Sequence, residues 1–194
     1  MAPSIYDDDV SDNSSAQLAG RAMLVTGASS GIGQAIALAA AQAGADVAIT
    51  YRTNEKGART VEREIQAMGR KVATFRADVA DASSVRELGP AALKALGRLD
   101  VWVNNAGADI LTGSGARLSD SDKLDLLLAV DLRGTILASW RAAELLAAQP
   151  DGGVIINMSR HGRSRALVRV ASVPSTTRRS GKRSPRAPRI APRT

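Results

Sequence analysis

At 194 residues the chain has the length of one well-buried domain and is short for two. It holds no cysteine and a single histidine, His161, which excludes a disulfide framework and a thiolate metal site and leaves no basis for an imidazole-built metal centre. The formal charge of +7 would suggest a polyanion partner if it were spread over the surface, but up to Ser159 there are fifteen Lys and Arg against nineteen Asp and Glu, and after it eleven bases and no acid.

Residues 1–17 hold Asp7, Asp8, Asp9 and Asp12 among serines with few apolar anchors, and read as a disordered acidic leader. No basic flank followed by an apolar core opens the chain, and no stretch approaches the length of a membrane span, so a cytoplasmic protein without a membrane partner is expected. From Arg21 onward, strand and helix patterns alternate, which predicts a parallel sheet covered on both faces.

Met23 to Val25 is the first predicted strand, and the helix after it sets Ile32, Ile36, Ala40 and Ala43 on one face before Gly44 stops it. Asp46 to Tyr51 is the second strand, followed by a helix with Ala58, Val61, Ile65 and Met68 inward and Gly69 as its stop. Lys71 to Ala77, a helix over Val85 to Leu96, and a strand over Asp100 to Val103 come next. Ser119 to Ala148 reads as one long helix whose inward stripe is Leu124, Leu128, Asp131, Thr135, Ala138, Ala142 and Leu145. Val154 to Met158 is nearly all apolar, as a strand buried on both faces should be. With right-handed crossovers, this succession gives an incomplete doubly wound α/β sheet of Rossmann type, strand order 3-2-1-4-5.

The apolar run ending at Thr26-Gly27-Ala28-Ser29-Ser30-Gly31-Ile32-Gly33 carries the first chemical signal. A strand that ends where a helix begins leaves the first helical N–H groups unpaired with the positive end of the helix dipole behind them, which attracts phosphate. Gly27, Gly31 and Gly33 remove side chains that would block the tight turn and the approach of a pyrophosphate. Together with Asn104-Asn105-Ala106-Gly107 after the fourth strand, this Thr-Gly-x-x-x-Gly-x-Gly pattern resembles the short-chain dehydrogenase/reductase family over residues 18–159, in particular 3-oxoacyl-carrier-protein reductases and glucose dehydrogenases.

The resemblance implies a dinucleotide across the carboxyl ends of the first and fourth strands. Ser29, Ser30 and Ile32 would line its phosphates, Asp78 and Val79 its adenine, and Asn105, Ala106 and Gly107 the adenosine ribose. Where an acidic residue would accept from a ribose 2′-hydroxyl, the second strand ends instead in Thr50, Tyr51, Arg52 and Thr53. Arg52 favours NADP(H), with NAD(H) possible. The family's substrates are small-molecule carbonyls or alcohols. Its subunit interface uses the long helix together with a following one, so the oligomeric state stays open.

The chemistry of the family departs after the fifth strand. Its catalytic serine belongs to a Ser-Ser pair, here Ser159-Arg160, and its Tyr-x-x-x-Lys would fall on Val173 and Thr177. The two tyrosines of the chain, Tyr6 and Tyr51, lie far upstream, and Lys182 is the one lysine after Lys123. Asp131 stands where most members carry an asparagine that holds a proton-relay water. It is the one candidate catalytic residue, and the other reading pairs it with Arg133 or Arg141. No helix-period or strand-period stretch of useful length is read from Arg160 on, and residues 160–194 are expected to form a disordered Arg/Ser/Pro-rich tail. Such a composition is what a GC-rich gene gives when read out of frame, so a truncated, catalytically impaired reductase is expected. The alternatives are a non-catalytic nucleotide-binding protein and nonspecific polyanion binding by the tail, with nucleic acid disfavoured because no aromatics interleave the bases.

Overall fold

The computed structural model describes residues 17–158 and the backbone of a strand at 166–170. Most of the expected leader and tail, with Ser159, Val173 and Thr177, therefore lies outside the described residues.

Five parallel strands form where the apolar runs predicted them: β1 (Ala22–Val25), β2 (Asp46–Tyr51), β3 (Val72–Arg76), β4 (Val101–Asn104) and β5 (Gly153–Asn157). Their order is β3-β2-β1-β4-β5. Alternation along the strands sends side chains to two cores. Met23, Val25, Val47 and Ile49 pack under helices α1 (Gly31–Gln42) and α2 (Glu55–Ala67), and Leu24, Trp102 and Ile155 pack under α3 (Ala82–Leu96) and the long helix described below.

Three expectations need correction. Beyond Arg160 no strand was expected, yet β6 (Ala166–Val170) pairs antiparallel with β5, from Gly153 opposite Val170 to Asn157 opposite Ala166. Five residues inside a basic, Pro-rich composition are too short for periodicity to register, and pairing with an existing sheet edge decides their conformation. The face of α1 is also rotated: Ala37, Ala40 and Ala41 are buried, Ile36 is partly buried, and Ile32 is 64% exposed. Ile32 sits at the helix mouth rather than in the core. Likewise Met68, predicted to face inward, caps α2 and is 37% exposed.

The long helix is the third case. It runs as α4 (Asp120–Leu127), a π-helical segment Leu128–Gly134 and α5 (Thr135–Ala147). Wider i→i+5 winding shifts the register that a 3.6-residue period assumes. The buried row is Val130, Gly134, Ala138, Ala142 and Leu146, while Leu124, Leu128, Leu132, Ile136 and Trp140 are exposed. Of the predicted inward stripe, Leu124, Leu128 and Asp131 therefore face away from the core.

At the amino ends of the strands, Asp100 is 8% exposed and ties the sheet together. Its carboxylate accepts from Arg98 at 2.8 and 2.6 Å, from Arg21 at 2.9 Å and from the Ala22 N–H at 2.8 Å. Burial pushes its pKa up, but the bonds from Arg98, Ala22 and Arg21 together outweigh burial and hold it below the ordinary aspartate value. A folded pKa below the unfolded one means that this stabilisation is complete above the unfolded value, about 3.9, and is lost as pH falls through the folded value. Asp100→Asn should cost about 2 kcal/mol at neutral pH and converge with the parent in acid. Urea titrations across that range check it, and equal stabilities at neutral pH would contradict the assignment.

Candidate functional site

β1 ends at Val25, and the glycine-rich turn that Thr26 opens is shaped by two constraints. Gly27 has φ +65° and Gly31 has φ +59°, both in the left-handed region that L side chains rarely adopt. Sterics add to this, because a Cβ on Gly27 would lie 2.8 Å from Ala106 Cα, and one on Gly33 would overlap the Asn105 amide nitrogen and the Gly27 carbonyl oxygen. Turn, helix and the loop after β4 therefore fit only with glycines at these positions.

The turn is cross-tied. Thr26 Oγ1 accepts from the N–H groups of Asn105 and Ala106, each at 3.0 Å, and Asn105 Nδ2 donates to the carbonyls of Thr26 and Gly27 at 2.9 and 3.1 Å. The Gly27 N–H donates to Thr50 Oγ1 at 3.1 Å, fixing the turn to the end of β2. Ser30, just before α1, makes no side-chain cap, and the first turn of the helix carries no acidic residue. Its mouth is a positive, uncapped helix end.

A cleft of about 1200 Å3 opens over the carboxyl ends of β1, β2 and β4. The turn residues Gly27, Ser29, Ser30, Gly31, Ile32 and Gly33 line one wall, with Arg52 at the β2 end. Asp78 and Val79 lie after β3, and Asn105, Ala106, Gly107 and Asp131 lie on the β4 side. The structure thus brings every residue singled out above for the cofactor, and the candidate catalytic aspartate, to one cavity. Among the described residues no group of three His, Cys, Asp or Glu could hold a metal ion, and no helix is long and apolar enough to cross a membrane.

Asp131 does not pair with either arginine. Its Oδ1 accepts from the Ala108 N–H at 2.7 Å, whereas Arg133 Nη1 donates to the Ala80 carbonyl at 2.9 Å and Arg141 donates to the Arg86 carbonyl and to Glu144. The carboxylate is exposed and holds the loop after β4 rather than lying on a buried stripe. Asp78 turns inward on its own loop, its Oδ1 accepting from the Ala80 N–H at 2.9 Å. Asp81, capping α3, is held below the usual aspartate range chiefly by the Ser83 hydroxyl and then by the Ser83 N–H.

Sequence reasoning missed Thr26, Thr50 and Asn54. Thr26 precedes the first motif glycine and could have been found there, as the one hydroxyl able to accept from the opposing loop. Asn54 carries the ordinary N-cap signal of α2, accepting from the Gly57 N–H at 3.0 Å, but it also donates to the Ser29 carbonyl at 3.3 Å, a contact no local pattern announces.

A family model described as short chain dehydrogenase matches residues 21–171. Among similar proteins, an L-rhamnose 1-dehydrogenase (NAD(P)(+)) of Sphingomonas sp. (strain SKA58) is 37% identical over 142 residues, covering 73% of this chain and 55% of that protein. A 3beta-hydroxysteroid dehydrogenase 1 of Eggerthella lenta is 34% identical over 155 residues, covering 80% and 55% respectively. A crystal structure of a short chain dehydrogenase from Burkholderia cenocepacia J2315 in complex with NADP superimposes with TM-score 0.64 at 42% identity, covering 73% of this chain and 56% of that one. The chain thus spans about half the length of the curated relatives it matches. On this match and on a sheet, turn and cleft of the kind just described, the chain belongs to the short-chain dehydrogenase family.

Proposed function

We propose that this chain holds NADP(H) in the cleft over β1, β2 and β4, as the nucleotide-binding half of an oxidoreductase that moves hydride between the nicotinamide and a small-molecule carbonyl or alcohol. The observation that carries the reading is the convergence of the uncapped mouth of α1, the Arg52 end of β2 and the Asn105–Gly107 loop on one cavity. The residues fit the group: bare glycines and helical N–H groups suit a pyrophosphate, and Arg52 suits a 2′-phosphate. The NADP in the Burkholderia structure and the NAD(P)(+) of the rhamnose enzyme's name support the choice of cofactor.

When bound, the nicotinamide would supply the hydride, and the chain would have to offer a proton donor to the carbonyl oxygen. Among the acids lining the cleft, Asp131 reaches the loop after β4 from the long helix, and one of its oxygens is already engaged by the Ala108 N–H. We assign it to holding that loop and a water beside it. The sequence carries no Tyr-x-x-x-Lys, so in this chain nucleotide binding outlasts turnover. The exposed row Leu124, Leu128, Leu132, Ile136 and Trp140 supports a subunit interface along the long helix.

Titration of the purified chain with NADP+ and NAD+ tests the reading. NADP+ should bind more tightly, and Arg52→Gln should reduce the preference about tenfold with little effect on NAD+. Equal affinity for both nucleotides, unchanged in the variant, would remove Arg52 from the site.

A further inference from the structure

Arg76 is the last residue of β3 and lies opposite Tyr51 in the β2 register, one residue before Arg52. Its Nε donates to the Arg52 carbonyl at 3.3 Å, so the guanidinium is folded over the end of β2 rather than released into solvent along the strand. Among the described residues neither Arg52 nor Arg76 has a carboxylate within ion-pair distance. The nearby acids are engaged elsewhere: Glu55 pairs with Arg59, and Asp78 accepts from Ala80. The bond brings a second guanidinium to the residue that carries the first, with no carboxylate to neutralise either.

The remaining wall of this corner is rigid. Asn54 links α2 to the glycine-rich turn through Ser29, and a Cβ on Gly57 would overlap the Ser29 carbonyl oxygen, so the first turn of α2 lies directly against the turn. The cleft therefore closes at its ribose end on Ser29, Arg52 and Asn54, with Arg76 tied to Arg52 from outside.

We infer that Arg76 is a second specificity-determining residue for the 2′-phosphate of the nucleotide, an inference that rests on the NADP(H) reading above. A phosphomonoester carries about −1.5 to −2 charges at neutral pH, so one guanidinium leaves it only partly neutralised and two match it. Arg76 acts in two ways. It supplies the second charge, and its bond to the Arg52 carbonyl keeps the end of β2 turned toward the cleft. The selective ligand is thus a nucleotide with a phosphate on the adenosine ribose, rather than any dinucleotide.

The test compares 2′,5′-ADP with 5′-ADP on the full chain by titration calorimetry. Arg76→Gln should raise the Kd for 2′,5′-ADP about fivefold and leave 5′-ADP within twofold, the difference shrinking with added salt, and Arg76→Lys should recover part of the loss. Unchanged binding of 2′,5′-ADP, or equal weakening of both ligands, overturns the role of Arg76 while leaving the nucleotide site standing. Failure of the parent chain to bind either ligand overturns the nucleotide reading and this inference with it. Arg76 is exposed, so its replacement leaves the core untouched, and an unchanged melting temperature will separate lost binding from lost fold.

Discussion

Purified chain mixed with NADPH and a small aldehyde or ketone is expected to bind the nucleotide and consume it about 10²–10⁴-fold more slowly than a short-chain reductase with its full acid set. That range is what a positioned general acid contributes, and the loss follows from which residues the chain possesses. A phenol acts as the acid near neutral pH only when a cation lowers its pKa. Here one of the two tyrosines is Tyr51, 9% exposed and packed among Val25, Ile49 and Ala58 beneath α1 and α2. The other, Tyr6, stands twenty residues before the glycine-rich turn begins. Asp131 cannot substitute fully, since one of its oxygens is already taken by the Ala108 N–H and holds the loop after β4. The measurement is loss of NADPH absorbance with and without carbonyl substrate, paired with a binding titration on the same sample. Turnover at the rate of an intact family member would show that some other group delivers the proton.

The second large effect is structural. Gly27→Ala is expected to destabilise the chain by about 3 kcal/mol and to abolish measurable nucleotide binding. Two causes add. The backbone at φ +65° is costly for any L side chain, and the new methyl would approach the Ala106 backbone to 2.8 Å. Relief requires the loop after β4 to retreat, which breaks the paired bonds from Asn105 and Ala106 to Thr26 Oγ1. Gly31→Ala makes the informative control: it has a similar φ, +59°, but open space around the added carbon, so it should lose only the strain part, about 1–2 kcal/mol. Urea denaturation of the three proteins separates the two causes. Equal losses in both variants would mean that the crowding against Ala106 is relieved without cost.

Sheet order was legible because each strand is a short apolar run closed by a turn signal, and a helical stretch separates each of the first four strands from the next. The cleft was legible because it is built on the carboxyl ends of strands β1 and β4, where both glycine-bearing segments fall, and the family pattern names the residues there. What escaped shares one cause: it depends on partners remote in sequence. The π-helical winding breaks the period that assigned Leu124 and Leu128 to the core. β6 exists through its pairing with β5, and Asn54 reaches Ser29 across 25 positions. Ile32 fits both the apolar helix spacing and the motif, and at 64% exposed it stands in the cleft wall and not on the buried face of α1.

The π-helical segment has a mechanical consequence for the cleft. Within four consecutive residues it grips both lips: Asp131 holds the Ala108 N–H on the β4 side, while Arg133 holds the Ala80 carbonyl and Gly134 fits beneath the Val79 carbonyl, where a Cβ would come within 2.8 Å. The loop after β3 and the loop after β4 thus share a single crossbar, so displacement of one lip pulls on the contacts of the other. The gap between the lips is spanned by one turn of helix rather than set by two separate loops.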